Sequence, residues 1–175
     1  MSSSTESSKT SASCEFEGNL EVLRQMPFFA EMPMETVKVF AYLCTRESYK
    51  PDDVLFHQGE DDAQAYHVLS GTVRVVLSTP DGEATVKEYG EGETFGVLTL
   101  VGSMPRLFTL KAVTEATCLQ LTRERFTKTL EQFPDLMPRF LQSLVASVRE
   151  WERKFLGEHG GECESCRRKA GVSLL

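Results

Sequence analysis

Arg106 is the residue most able to do chemistry, because its guanidinium follows Pro105 in a mainly apolar, strand-forming run. A guanidinium there needs a carboxylate or a phosphate to offset the loss of its hydration. Gly96 lies ten residues earlier and permits a close approach of the backbone. A short turn after Gly96 would direct several consecutive N–H groups at one point, which suits an anion. The segment therefore predicts a small phosphate-binding cradle inside a β-barrel.

The common catalytic motifs do not occur in the sequence. Gly90, Gly92 and Gly96 have the wrong spacing for a dinucleotide-binding loop, and there is no Walker loop, nucleophile elbow or H-E-x-x-H motif. His57 and His67 lie in strand-like runs, where we expect structural, hydrogen-bonded imidazoles. Because no nucleophile is paired with a base, we predict no catalytic residues and no enzyme activity.

A C-x-x-C pair, Cys163 and Cys166, lies close to His159. Such a pair is half of a zinc site, which a dimer could complete, or a redox pair. The sequence holds no second half. We therefore expect residues 157–175 to be a flexible tail, with no bound metal.

The overall charge argues against a nucleic-acid partner. Asp and Glu number 26 against 19 Lys and Arg, which gives a net charge of −7, whereas duplex-DNA binders usually carry a basic field. The longest apolar run covers residues 39–44, far short of the about 20 residues of a spanning helix, so we expect no membrane insertion. The five unevenly spaced cysteines and the missing signal peptide predict a cytoplasmic protein with reduced thiols.

Helical patterns open the chain after a Ser-rich start. Residues 1–13 hold seven serines and two threonines, too little to bury, so residues 1–15 are predicted to be disordered. Leu20, Leu23 and Met26 then follow a helical spacing up to Pro27. A second helix is predicted over residues 34–45 from apolar residues at three- and four-residue steps.

Short runs rich in β-branched and aromatic residues occupy the middle of the chain. They cover residues 54–56, 65–69, 72–77, 84–89 and 107–113, and turn signals divide them. This spacing indicates an all-β sandwich or barrel. Asp81 and Gly82 predict a hairpin between two of these strands.

Two more helices are predicted after the strands. Thr122 is a candidate N-cap for the first, which Phe133 and Pro134 should end or kink. A longer helix is predicted over residues 138–156, stopped by Gly157 and then by Gly160 and Gly161. Helices, a barrel and further helices together make one domain.

Residues 95–112, here called the cassette, resemble the phosphate-binding cassette of the cyclic-nucleotide-binding domain family. The matching residues are Phe95, Gly96, Leu98, Leu100, Gly102, Pro105, Arg106, Thr109, Lys111 and Ala112. Residues 26–30 resemble the family's first helical segment, and residues 68–75 its strand–glycine–strand signature. The resemblance implies a mainly β domain over residues 16–156. Its fold would be a double-stranded β-helix, or jelly-roll barrel, of about eight strands with N-terminal helices and a long C-terminal helix.

The resemblance also implies a non-catalytic regulatory module that binds a cyclic nucleotide, with cyclic AMP expected before cyclic GMP and no cofactor. The implied ligand-binding residues are Gly96, Val97, Leu98, Arg106, Leu107, Phe108 and Thr109. The amides of Gly96, Val97 and Leu98 would face the phosphate, with Arg106 as its counter-charge.

Two departures from the family pattern bear on the ligand. The family usually has Glu after the cassette glycine, where it binds the ribose 2′-hydroxyl, and this chain has Val97. Losing that charged hydrogen bond costs roughly 1.5–3 kcal/mol, or about ten- to a hundredfold in affinity. The family usually has two small residues after the arginine, and this chain has Leu107 and Phe108. On a regular strand Phe108 shares the face of Arg106, so its ring could occupy ligand space. The alternative is a protein-interaction scaffold that binds no nucleotide, with Arg106 paired to an acid such as Glu93.

The long C-terminal helix offers a surface for a partner. Its apolar seam consists of Met137, Leu141, Leu144, Val148, Trp151 and Phe155, which follow one another at alternating steps of four and three residues. Such a seam suits a partner helix in a homodimer, or packing of the helix against its own barrel. Trp151 could instead act as a lid that stacks on the purine. The resemblance implies that this helix passes the signal to a protein partner, which the sequence does not identify.

Overall fold

The computed structural model describes residues 4–30 and 32–159, and helices open this part of the chain. They are α1 (Ser4–Gln25), α2 (Pro27–Ala30) and α3 (Met34–Leu43). Pro27 separates α1 from α2, because a proline can begin a helix but cannot donate a hydrogen bond within one. The helical spacing before Pro27 and the helix after residue 34 are confirmed.

The start of α1 differs from the prediction of a disordered segment over residues 1–15, since the helix already includes Ser4. Its second half is anchored: the Asn19 side chain donates to Ala41 O at 3.2 Å and accepts from Arg46 Nε at 2.7 Å. Once a helix is anchored, each added residue forms one more backbone hydrogen bond without a new nucleation step. Composition alone does not reveal that anchor.

Eight strands follow and form two antiparallel sheets. They are β1 (Thr45–Tyr49), β2 (Val54–Phe56), β3 (Gln64–Ser70), β4 (Val73–Thr79), β5 (Gly82–Tyr89), β6 (Thr94–Phe95), β7 (Thr109–Ala112) and β8 (Ala116–Thr122). One sheet has the order β1-β8-β3-β6 and the other β2-β7-β4-β5. Two facing four-stranded antiparallel sheets with flanking helices make the jelly-roll architecture that the sequence predicted. The β4–β5 hairpin is confirmed, with Thr79 opposite Gly82.

Three strands, β1, β6 and β8, lie outside the runs that the sequence predicted to be strands. The helix predicted over residues 34–45 ends at Leu43, and Thr45 already belongs to β1. Four of the five side chains of β1 are exposed, so it lacks an apolar alternation. The strand β8 is the most consequential omission, because it pairs with both β1 and β3 and holds the first sheet together.

Two helices close the described chain, α4 (Arg123–Gln132) and α5 (Leu136–His159). Thr122 caps α4 as predicted, since its side chain accepts a hydrogen bond from the Arg125 N–H. α5 passes Gly157, the first of the glycines predicted to stop it, and extends to His159, because one glycine weakens a helix without breaking it. Cys163 and Cys166 lie outside the described residues.

The buried side chains form two clusters, one on each side of the first sheet. The helical cluster packs α1, α3, α4 and α5 against that sheet and includes Phe40, Phe126 and Phe140. The barrel cluster lies between the two sheets and includes Phe56, Tyr66 and Leu110. None of the helices in the described ranges is long and apolar enough to cross a membrane.

Candidate phosphate-binding site

The cassette turn, residues 96–100, begins at a glycine in the left-handed region. Gly96 has φ +78°, and residues Val97–Leu100 form a single turn of 3-10 helix after it. The first hydrogen bond of the turn runs from Thr99 N–H to Gly96 O at 3.0 Å. The amides of Val97 and Leu98 precede that bond, as the first amides of any helix do, and can serve an acceptor outside the helix.

Arg106 lies inside the domain with only 5% of its side chain exposed. Its Nε donates to Asp62 Oδ1 at 2.9 Å, and its Nη2 lies 2.6 Å from the same oxygen and 2.5 Å from Gln64 O. The guanidinium also stacks over the Phe56 ring, 4.0 Å from its centroid. The sequence correctly predicted that this guanidinium needs an anionic partner. The acid suggested for that role, Glu93, is not the one that the structure supplies.

The third guanidinium nitrogen of Arg106 points at the cassette turn. A Cβ atom built on Gly96 would overlap Arg106 Nη1 and would lie 2.8 Å from Gln64 O. The space that glycine leaves is therefore filled by the arginine. Arg106 Nη1 thus lies beside the first residue of the turn, and the next two amides of that turn can serve an acceptor outside the helix.

Asp62 is held in place by its own neighbours. The Tyr66 hydroxyl donates to Asp62 Oδ2 at 2.8 Å, and burial together with this carboxylate raises the pKa of Tyr66. The next residue, Ala63, has φ +55°, a conformation that costs a non-glycine residue about 1–2 kcal/mol. This strained residue separates Asp62 from Gln64, so both partners of Arg106 flank it.

Backbone hydrogen bonds join the loop before β3 to the cassette. Gly59 N–H donates to Arg106 O at 2.7 Å, and Arg106 N–H donates to Glu60 O at 2.8 Å. Close by, Arg123 binds Asp61, and Ser103 donates to the same carboxylate at 2.6 Å. These two donors hold the pKa of Asp61 well below its usual range. The loop therefore holds the middle of the cassette, at Ser103 and Arg106.

The other predicted ligand-binding residues differ in their exposure and in what they pack against. Val97 packs against the helical cluster, whereas Leu98 and Leu107 are exposed, Leu107 to 77%. The Phe108 ring lies in the barrel cluster, 5.6 Å from the Phe56 ring centroid. Thr109 is buried, and its Oγ1 accepts from Gln58 N–H at 3.0 Å. Of the predicted set, the structure brings Gly96, Val97, Leu98 and Arg106 together at the turn.

The seam predicted on the last helix divides between two faces. Met137 and Leu144 pack against the helical cluster, while Leu141, Val148 and Trp151 are exposed. Only the backbone of Phe155 is described. An exposed stripe at four- and three-residue steps consists of Leu141, Val145 and Val148. Trp151 lines a groove together with Gly92 and Glu93, beside β6.

Sequence reasoning missed Asp62, Gln64 and the rings of Phe56 and Tyr66 as parts of the site. Asp62 stands beside the predicted turn signal at residues 59–61, and an acid within a turn is ordinarily solvated. Gln64 contributes its backbone carbonyl, which leaves no signature in a side-chain pattern. Among the described residues, no group of three or more His, Cys, Asp or Glu side chains could hold a metal ion.

His67 makes the stability of the domain sensitive to pH. Its Nδ1 lies 2.8 Å from Thr94 Oγ1, and burial lowers the pKa of His67 although Glu91 and Glu93 oppose this. With a folded-state pKa below the unfolded value of 6.5, the unfolded chain binds more protons between the two values. We therefore expect the thermal midpoint to fall as the pH drops below about 6.5.

The His67→Gln variant should lose that part of the pH dependence. The matched control is His57→Gln at an exposed position, which should keep it. The measurement is the thermal midpoint of each variant between pH 5 and 8. An unchanged slope in His67→Gln would contradict the assignment.

Comparison with known proteins shows that the chain matches the model of one protein family. The family model that matches residues 46–133 is described as the cyclic nucleotide-binding domain. A lysophospholipase from Aspergillus oryzae is 31% identical over 110 residues, which are 62% of this chain and 7% of that protein. The match thus spans only 7% of the length of that lysophospholipase.

Solved structures show the same likeness. The N-terminal domain of a transcriptional regulator from Streptomyces coelicolor is 28% identical, with a TM-score of 0.67 over 76% of this chain and 94% of that one. The regulatory subunit of a cAMP-independent protein kinase A from Trypanosoma brucei is 26% identical, with a TM-score of 0.58 over 75% of this chain and 49% of that one.

Proposed function

The chain belongs to the cyclic nucleotide-binding domain family, and we propose that it is a non-catalytic regulatory module that binds cyclic AMP at its cassette. The observation that carries this proposal is the approach of Arg106 Nη1 to Gly96. Asp62 and Gln64 occupy the other two guanidinium nitrogens, so Nη1 is the nitrogen directed at the turn. With the amides of Val97 and Leu98 it would bind the cyclic phosphate.

The residue at position 97 determines whether the ribose 2′-hydroxyl contributes to the affinity for cyclic AMP. Val97 packs against the helical cluster and offers no carboxylate to a ribose 2′-hydroxyl. We therefore expect cyclic AMP and its 2′-deoxy analogue to bind with affinities within about threefold of each other, since no charged hydrogen bond distinguishes them. Isothermal titration calorimetry of the full chain with both ligands measures this. A tenfold preference for cyclic AMP would show that another residue recognises the hydroxyl.

A second candidate function is a scaffold without nucleotide, and Phe108 favours it. The Phe108 ring is half-buried and packs against the barrel cluster, with its centroid 5.6 Å from that of the Phe56 ring and 6.3 Å from that of the Phe95 ring. The T. brucei kinase is described as cAMP-independent, so control by cyclic AMP is not a property of every similar protein. In this second function the barrel would keep its fold and present surfaces to a protein partner.

Titration of Phe108→Ala separates the two candidates. Cyclic AMP binding to the wild type supports the regulatory function. The opposite result is that the wild type binds neither cyclic AMP nor cyclic GMP at millimolar concentration, whereas Phe108→Ala binds one of them. The Phe108 ring would then block the nucleotide site at the cassette, and the scaffold function would be correct. The matched control is Tyr42→Ala, an exposed aromatic residue of α3 outside the cassette, which should not change the binding of either ligand.

The last helix supplies the proposed route of the signal, through a homodimer. The stripe of Leu141, Val145 and Val148 on α5 is exposed and apolar, and a second copy would bury it. We expect sedimentation of the wild type as a dimer at tens of micromolar, and of Leu141→Asp/Val148→Asp as a monomer. Leu144 is unsuitable for this test, because it packs against the core of its own chain. A monomeric wild type would contradict the dimer.

A further inference from the structure

A cavity of about 310 Å³ lies between the helices and the sheet β1-β8-β3-β6. Residues of α1, α2 and α5 form one wall, and residues of β3 and β8 form the other. Its apolar lining includes Leu23, Phe29, Ala65, Leu121, Phe140 and Leu144. Gly96 and Arg106 do not line it, whereas Val97 and Leu100 form part of its wall, so the cavity lies on the other side of the cassette turn from the guanidinium.

The size and chemistry of this cavity suit a small apolar molecule. An engineered apolar cavity of about 150 Å³ stays dry and binds benzene, and this cavity has about twice that volume. An apolar molecule in this space would gain dispersion contacts with the apolar side chains around it.

Polar groups gather where the cavity meets a wider groove along α5. Thr94, Ser143 and Ser147 line both spaces, and His67 lines the cavity beside them. Burial lowers the pKa of His67, which favours its uncharged form. Hydroxyls and a neutral imidazole can donate or accept hydrogen bonds without requiring a charged ligand.

The charged residues of the groove balance one another. Arg139 and Lys154 line it together with Glu93 and Glu150, and Lys154 Nζ lies 3.9 Å from Glu150 Oε1. Two cations and two carboxylates offer no net charge to a ligand. The surroundings of the polar end therefore favour an uncharged group over a carboxylate or an ammonium.

We propose that this cavity binds a small apolar molecule with one uncharged, hydroxyl-like polar end. The apolar part would lie between Ala65 of β3 and Phe140 of α5, and the polar end near Ser143 and Ser147. Leu100 of the cassette turn also lines the cavity, so the occupant would pack between the cassette and α5.

The test uses 1-octanol and the full chain in isothermal titration calorimetry and thermal melting. We expect one octanol per chain and a thermal midpoint that rises with octanol concentration, as for any ligand that binds the folded state. Ala65→Leu adds three carbon atoms to the cavity wall and should weaken octanol binding at least tenfold. The matched control is Ala84→Leu on the exposed face of β5, which should leave binding unchanged.

A second cavity variant and a charged ligand test the same site. Should Ala65→Leu fail to fold, Ser143→Leu on the opposite wall should weaken octanol binding at least tenfold in its place. Octanoate has the same chain length with a negative charge, and we expect it to bind at least tenfold more weakly. The proposal is overturned if the wild type does not bind millimolar octanol, if both cavity variants bind like the wild type, or if octanoate binds as tightly as octanol. A failure of cyclic AMP binding does not affect these results.

Discussion

The Arg106→Ala variant is expected to lose about 3–5 kcal/mol of unfolding free energy, because the buried Asp62 carboxylate then has no positive charge beside it. Both side chains are almost fully buried, 5% and 8% exposed, and they lie 2.6 Å apart. The variant also loses the stacking of the Arg106 guanidinium on the Phe56 ring. Denaturant unfolding measures the loss, and titration of the same variant with cyclic AMP should show no binding if the regulatory function is correct.

Two comparisons isolate the ion pair as the cause. Arg74 and Asp52 also form an ion pair, at 2.8 Å, but the Asp52 side chain is 81% exposed. Arg74→Ala should therefore cost only about 0–1 kcal/mol. The double variant Asp62→Leu/Arg106→Met removes both charges and should recover much of the loss. Equal losses in Arg74→Ala and Arg106→Ala would mean that the buried pair is not a stabilising element.

The second large effect is expected from Gly96→Ala, which should destabilise the domain by about 2–5 kcal/mol. Alanine at φ +78° costs about 1–2 kcal/mol in backbone strain. Its Cβ would also overlap Arg106 Nη1, and displacing a packed group typically adds about 1–3 kcal/mol. Moving the guanidinium would disturb its contacts with Asp62.

Gly92→Ala is the matched control for this substitution. Gly92 has φ +89°, and a Cβ there meets no heavy atom within 4 Å. It therefore measures the backbone strain alone. Denaturant unfolding of both variants should give a larger loss for Gly96→Ala, and equal losses would show that Arg106 moves aside without cost.

Features set by neighbouring residues could be predicted from the sequence. The α3 helix, the Thr122 cap and the β4–β5 hairpin each depend on a spacing or a turn signal within a few residues. The cassette turn belongs to this group as well, because Gly96 can adopt a positive φ more readily than other residues. The strand β1 could not be predicted in this way, since its exposed side chains pair with β8, 75 residues further along at the Thr45–Gln120 contact.

The sequence by itself determined that a buried guanidinium would need an anion, and that a glycine turn would lie nearby. Only the tertiary structure decided that this anion is Asp62, which lies 44 residues before Arg106. It also decided that Val97 packs against the helices and that Phe108 points into the barrel. The physical reason is that residue types and spacing fix local conformation and the need for a partner, whereas the identity of the partner depends on how distant strands pair. Among 26 carboxylates, that pairing selects one.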